Sequence, residues 1–376
     1  MQCFTPMVRY YQLIPEGAKE RGEKCPQRIV PRSEVFANLQ QDENYLTRIQ
    51  DKNYELERQG SNWRYQMIPC GHCWACQLKY SAEWATRLTW ESKYHEHKYF
   101  ITLTYDEEHL PLYEKFKYID EDGIETIFEN DGTWTGTLEP EHVTRFIKTL
   151  RKHYERQGVT GIKYFYCGEY GNDCSKNGSM GYRPHYHMIL FGAPLDITQF
   201  YDWHVDNKHK KLHWKSKELE RWWPHGMLDV AEVEWNCCAY VARYCMKKLN
   251  QENDTRVYAE QGKLKEFIRM SRNPGIGMRY YNENKEKIYE NDEVIQKTIQ
   301  GKTSAFKPPK AFDRKLEKEM PELYEKIKES RRNAAERNRQ LQKELQKGIT
   351  DLEKLTREAE KTNTKGQMLK RVVQFD

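Results

Sequence analysis

The sequence predicts an α+β fold, and three observations carry that reading. Short β-branched and aromatic runs recur at residues 99–105, 162–167, 185–191 and 227–233, each of strand length. Helical periods fall between and around them. Pro140 opens a segment in which Val143, Phe146, Ile147, Leu150 and Tyr154 keep helical spacing, and residues 235–249 read as a second helix. Asp122-Gly123 and Asp131-Gly132 are turn signals inside an inserted hairpin.

The chain divides by pattern into an N-terminal segment at 1–97, a mixed strand and helix domain at 98–300 and a charged tail at 301–376. Up to about residue 60 it is polar and poorly periodic, with Pro15, Gly17, Pro26 and Pro31 punctuating loops. A Cys-rich turn follows. Residues 77–94 then place Leu78, Trp84, Leu88 and Tyr94 on one face of an amphipathic helix. In the tail Lys, Glu, Arg and Gln dominate, and Pro308-Pro309 and Pro321 break the early part. Leu341, Leu345, Leu352 and Leu355 form a patchy stripe. The plain expectation is a solvated helical tail. A coiled-coil or partner-binding helix is the alternative, which Gly348 weakens.

A net charge of +5 on 376 residues is mild, so the position of the cations matters more than their sum. Lys and Arg recur beside aromatics at Arg183, Arg243, Lys247, Lys248, Arg269 and Arg272. No apolar run approaches the roughly 20 residues that cross a bilayer. Residues 1–11 lack the zones of a signal peptide. The expectation is a soluble intracellular protein with no membrane partner. Ten cysteines in such a chain argue for reduced thiols, some binding metal, rather than a disulfide framework.

Three segments carry chemistry. In Arg183-Pro184-His185-Tyr186-His187-Met188-Ile189-Leu190-Phe191 the two histidines alternate with Tyr186 in a strand, so both imidazoles face one side and can reach one ion. In Tyr240-Val241-Ala242-Arg243-Tyr244-Cys245-Met246-Lys247-Lys248 a helix projects Tyr240 and Tyr244 from one face, and Lys248 continues that row. Phe100-Ile101-Thr102-Leu103-Thr104-Tyr105 is a strand whose threonines share one face.

In this order the three segments resemble the HUH (histidine–hydrophobic–histidine) rolling-circle replication initiators. The details are similar to those of small single-stranded DNA phages, the microviruses and especially their gokushovirus branch. The resembling stretches are Pro69-Cys70-Gly71-His72-Cys73 with Cys76, residues 100–111, Cys167-Gly168-Glu169-Tyr170-Gly171, residues 183–191, residues 240–248 and residues 271–277. They span roughly residues 65 to 280 and leave the tail and the extreme N-terminus uncovered.

The resemblance implies a central antiparallel sheet flanked by helices over residues 98–300, working as a metal-dependent tyrosine endonuclease. His185 and His187 would hold a divalent cation, Mg²⁺ or Mn²⁺, with Glu169 completing the protein's share. Tyr240 and Tyr244 would attack DNA in turn, with Lys247 and Lys248 assisting, while Arg183, Arg243 and Arg272 contact the strand. The implied activity is nicking and rejoining of single-stranded origin DNA through a 5′-phosphotyrosyl link, at the start and end of rolling-circle replication. It implies the host bacterial cytoplasm and host replication proteins, a polymerase and a helicase, since the chain carries no P-loop. Two rival readings use the same residues. One is a non-catalytic single-strand-binding module stacking bases on Trp222, Trp223 and Tyr164; the other is a hydrolytic metallonuclease with water as nucleophile.

Cys70, Cys73 and Cys76 form C-x-x-C-x-x-C, three thiols at metal-binding spacing. A structural Zn²⁺ needs a fourth ligand. Cys3 is the first choice, with Cys25 and His72 as alternatives. Zinc here would pin the N-terminal segment to the nuclease; an iron–sulfur cluster is the lesser alternative.

Overall fold

The computed structural model describes residues 3–13, 23–120, 123–171, 183–205, 212–233, 255–297, 303–345 and 348–372. It divides into two compact units, one of Met1–Tyr80 with Lys328–Phe375 and one of Ser81–Ile327.

The first unit overturns the expectation of N-terminal loops. Strands β1 (Met7–Gln12), β2 (Gln27–Val30) and β3 (Trp63–Ile68) form an antiparallel sheet in the order β2-β1-β3. Helices α1 (Arg32–Gln41) and α2 (Tyr45–Arg58) supply Val35, Leu39, Leu46 and Ile49 to a small core with Val8. The apolar residues are too sparse along the chain to show a period, and they meet only in three dimensions. Cross-strand stacking of Tyr10 on Tyr65, ring centroids 4.5 Å apart, reinforces the pairing. The C-terminal helix Asp351–Val372 belongs to this unit, where Leu352 and Leu355 pack against its core and Asp351 accepts hydrogen bonds from Thr47. The end of the chain is helical and charged, yet it is packed rather than a free tail.

In the second unit the chain follows α3 (Trp74–Ser92) into β4 (Lys98–Thr104). The hairpin of β5 (Lys115–Ile119) and β6 (Glu125–Glu129) comes next, then α4 (Pro140–Glu155). The remaining strands are β7 (Lys163–Tyr170), β8 (Pro184–Phe191), β9 (Phe200–Val205), β10 (Leu212–Ser216), β11 (Leu228–Glu232) and β12 (Phe267–Met270). Seven of these strands make one sheet in the order β12-β7-β8-β4-β11-β10-β9, and every neighbouring pair is antiparallel. The sequence pattern reveals β4, β7, β8 and β11. It misses β9, β10 and β12, which lie on the sheet's flanks and carry little apolar alternation.

The period of two sorts the sheet into faces. Ile101, Leu103, Tyr166, Tyr186, Met188, Leu190 and Val230 face α4, which answers with Val143, Phe146, Ile147, Leu150 and Tyr154. Phe100, Phe165, Cys167, Ile189, Phe191 and Ala231 face the other way and are covered by Trp84, Ala85 and Leu88 of α3. A further cluster joins Trp90 to Tyr281 and Ile288 of helix Met278–Glu290 and to Phe312 and Leu316 of helix Lys310–Glu319. The start of the expected tail is therefore core, because Phe312 and Leu316, four apart, bury one helix face. Among the described residues no helix is long and apolar enough to cross a membrane.

Candidate metal centre on the sheet face

Odd-numbered residues of β7 and β8 share the face that α3 covers, so Glu169, His185 and His187 continue the row of Phe165, Cys167, Ile189 and Phe191. Antiparallel register sets Glu169 opposite His185 and Cys167 opposite His187. On the other side β4 sets Thr102 opposite His187 and Thr104 opposite His185. Tyr186, between the histidines, turns to the opposite face and is fully buried.

The three side chains converge on one atom. Glu169 Oε1 lies 3.1 Å from His185 Nε2 and 2.9 Å from His187 Nε2. The outer ring nitrogens are also held. His187 Nδ1 is 3.0 Å from Thr102 Oγ1, and His185 Nδ1 is 3.0 Å from the Arg183 carbonyl. A carbonyl only accepts, so Nδ1 of His185 carries the hydrogen, and a neutral His185 turns a bare Nε2 lone pair toward the carboxylate. Two acceptors 3.1 Å apart repel unless a cation or a second proton bridges them. Phe100 stacks on His187 with ring centroids 5.4 Å apart, which fixes the ring plane.

The electrostatics match ligands in their binding state. Burial would raise the Glu169 carboxyl, but hydrogen bonds from His185 and His187 override it and draw its pKa down to about 2. Burial holds His187 below its ordinary value despite the Glu169 carboxylate, so its imidazole is neutral near pH 7. Glu169 Oε2 is buried with no hydrogen-bond partner. A carboxylate with one oxygen unsatisfied, beside two imidazoles, fits a divalent cation with open positions for water or phosphate.

Arg183 is used internally: its guanidinium donates to the Tyr105 carbonyl at 2.8 Å and to Glu107 at 2.5 Å. Arg272 is exposed beside the Arg272–Gly275 bridge. That turn is tied to α3 by Arg87, which donates to the Ile276 carbonyl, and by Glu91, which accepts from the Gly277 N–H at 2.7 Å. Tyr240, Arg243, Tyr244, Lys247 and Lys248 lie outside the described residues. Cys3, Cys70, Cys73 and Cys76 are gathered in the first unit. Neither alternative fourth ligand joins them: Cys25 donates to the Gln12 carbonyl and His72 is exposed.

Sequence reasoning did not assign Thr102 a role at the site; its only signal is its place in the Thr strand. It also passed over Asp229, which is opposite Thr102 and bound to His213 at 2.5 Å. Trp223, proposed above to stack on bases, is instead a core residue only 1% exposed, because its ring fills the space between Tyr105 and Phe146.

A carboxylate and two imidazoles on the face of a large antiparallel sheet define a candidate metal centre in an α+β protein. Residues 98–249 match the family of replication-associated proteins described as ORF2 or gene 2 protein. The chain is 36% identical to the replication-associated protein ORF2 of Spiroplasma virus 4, over 76% of this chain and 80% of that protein. It is 30% identical to the replication-associated protein ORF4 of Chlamydia phage 1, over 48% of this chain and 38% of that protein. It is 29% identical to the replication-associated protein VP4 of Bdellovibrio phage phiMH2K, over half of each. The chain belongs to this family of microvirus replication-associated proteins, the replication initiators that its motifs resemble. No solved structure matches it.

Proposed function

We propose that the chain is an HUH-type endonuclease that nicks and rejoins single-stranded DNA to start and end rolling-circle replication of a phage genome in the bacterial cytoplasm. The observation that carries this reading is the convergence of His185 and His187 on Glu169, within the residues that match the replication-associated family. A bound Mg²⁺ or Mn²⁺ would supply Lewis acidity, drawing charge from a phosphate oxygen.

The chain's own residues do the rest. Glu169, ionised, and His187, neutral, are ready to hold a cation without first shedding protons. Thr102 and the Arg183 carbonyl orient the imidazoles. On the sequence motif, Tyr240 or Tyr244 is the nucleophile. Its phenolate oxygen forms a bond to phosphorus, the bond from phosphorus to the 3′ oxygen breaks, and the phenol's proton leaves so that the freed strand ends in a 3′-OH. Lys247 and Lys248 would stabilise the phenolate or the phosphate. The link is an ester exchanged for an ester, so no nucleotide is consumed. The second tyrosine suits a second round of attack and closure of the circle. The extending polymerase and the helicase would come from the host.

The test uses labelled single-stranded oligonucleotides tiled across the phage genome, incubated with the full chain and Mn²⁺. One of them should give a protein–DNA adduct that survives denaturation, and Tyr240→Phe/Tyr244→Phe should abolish it. Cleavage without an adduct would favour a hydrolytic nuclease instead. Binding without cleavage would leave only a single-strand-binding module.

A further inference from the structure

The four cysteines of the first unit lie outside the residues that match the family and have no part in the chemistry above. Their sulfurs come together from distant points. Cys3 Sγ is 3.6 Å from Cys70 Sγ and 3.6 Å from Cys73 Sγ, and all four sulfurs lie within 4.8 Å of one another. All four cysteines are free. A disulfide would hold two sulfurs at about 2 Å and leave the other two unengaged. A tetrahedron of sulfurs around zinc, at about 2.3 Å per bond, has edges of about 3.8 Å. The observed spacing is that of the tetrahedron.

The surrounding backbone is built for negative sulfur. The Cys73 N–H points at Cys70 Sγ at 3.2 Å, and the Cys70 N–H at Cys3 Sγ at 3.4 Å. Thr5 Oγ1 lies 3.1 Å from Cys70 Sγ. Gly71, with φ of +78°, makes the turn that brings Cys73 back over Cys70, a conformation costly for a residue with a Cβ. The Cys73 carbonyl accepts from the Gln77 N–H, so Cys73 stands at the start of α3 and Cys76 lies in its first turn, where helix N–H groups favour thiolates.

We infer that Cys3, Cys70, Cys73 and Cys76 hold a structural Zn²⁺ that staples the start of β1 to the end of β3 and the first turn of α3. The thiols give up their protons as zinc binds, and no oxidant is involved. The staple closes a loop of some 67 residues around a three-stranded sheet with few core side chains, a setting in which small folds depend on metal.

The experiment takes the full chain, purified under reducing conditions without chelator. Zinc should be retained in equimolar amount through gel filtration and be released in step with thiol modification by a mercurial reagent, a readout blind to any cation on the histidines. Cobalt exchanged into the unaltered chain should give the intense sulfur-to-metal absorption of a tetrahedral thiolate site. Cys3→Ser should weaken zinc retention by about tenfold or more, whereas Cys25→Ser and His72→Ala should leave it unchanged. Chelation should open residues 1–80 to protease while the sheet of the second unit stays resistant. The inference is overturned if the reduced chain, given zinc, releases none to the mercurial, if cobalt gives no thiolate band, or if an iron–sulfur chromophore is found instead. Zinc retention unaltered by Cys3→Ser would equally overturn the four-cysteine assignment.

Discussion

Glu169 and His187 sit on adjacent strands with Oε1 and Nε2 only 2.9 Å apart, in a site where both are almost wholly buried. Such a pair is stable only if charge is shared across it, and this makes Glu169 the most sensitive test of the centre. Glu169→Gln keeps the shape and removes the charge. Mn²⁺ affinity, read by electron paramagnetic resonance of free Mn²⁺, should fall on the order of 100-fold, near the upper end of what loss of a supporting carboxylate costs a metal site. Unchanged affinity would remove Glu169 from the ligand set.

Thr102 reaches the same ion at one remove. Its hydroxyl, 3.0 Å from His187 Nδ1, sets that ring's orientation. Thr102→Val should leave the melting temperature within a few degrees and weaken Mn²⁺ binding by about tenfold, whereas Thr102→Ser should restore it. A Val variant that binds Mn²⁺ normally would show that Phe100 stacking alone holds the ring.

Tyr186 separates the histidines in sequence but serves the opposite face. Its hydroxyl accepts the Glu139 N–H at 2.6 Å, at the head of α4, and lies 3.2 Å from the Tyr105 hydroxyl. Tyr186→Phe strands a backbone donor, and urea unfolding should show a loss of about 1–3 kcal/mol with an unchanged slope. Mn²⁺ affinity should not move, since the hydroxyl and the metal ligands are on different sides of the sheet.

Acid should weaken the second unit before its carboxylates titrate. His225 stacks on His142 with ring centroids 3.9 Å apart. Burial, with added repulsion from His142, His109 and Arg145 that Asp106 only partly offsets, lowers its pKa from 6.5 to about 4. His142 is lowered too, by burial first. Between pH 6.5 and about 4 the unfolded chain therefore binds protons that the folded chain refuses, and stability falls as pH falls through that window. Above pH 6.5 this contribution is flat. Thermal melts across the window should show the decline, and His225→Phe, which keeps a ring on His142, should flatten it. An equal decline in that variant would place the acid sensitivity elsewhere.

Much of the site is legible from local pattern. The spacing of His185 and His187 puts both on one side of any strand, whatever its neighbours, because side chains alternate by bond geometry. The helix from Pro140 is equally plain, since its apolar residues are dense enough to show their period. The first unit is not. Val8, Val35, Leu39, Leu46 and Ile49 are spread over more than forty positions, and no short window contains enough of them to reveal a core. The flanking strands β9, β10 and β12 escape for a related reason: their identity as strands comes from the partners that bond to them.

The sequence by itself determined that two imidazoles share a strand face, that three thiols cluster at metal-binding spacing, and that the chain carries the ordered motifs of a replication initiator. Only the tertiary structure decided that Glu169 and Thr102 flank the histidines, that Tyr186 belongs to the opposite core, and that Cys3 rather than Cys25 or His72 joins the other thiols. The physical reason is the range of the forces involved. Facing is set by the chain's own dihedral angles, whereas register is set by hydrogen bonds and packing between segments far apart in sequence.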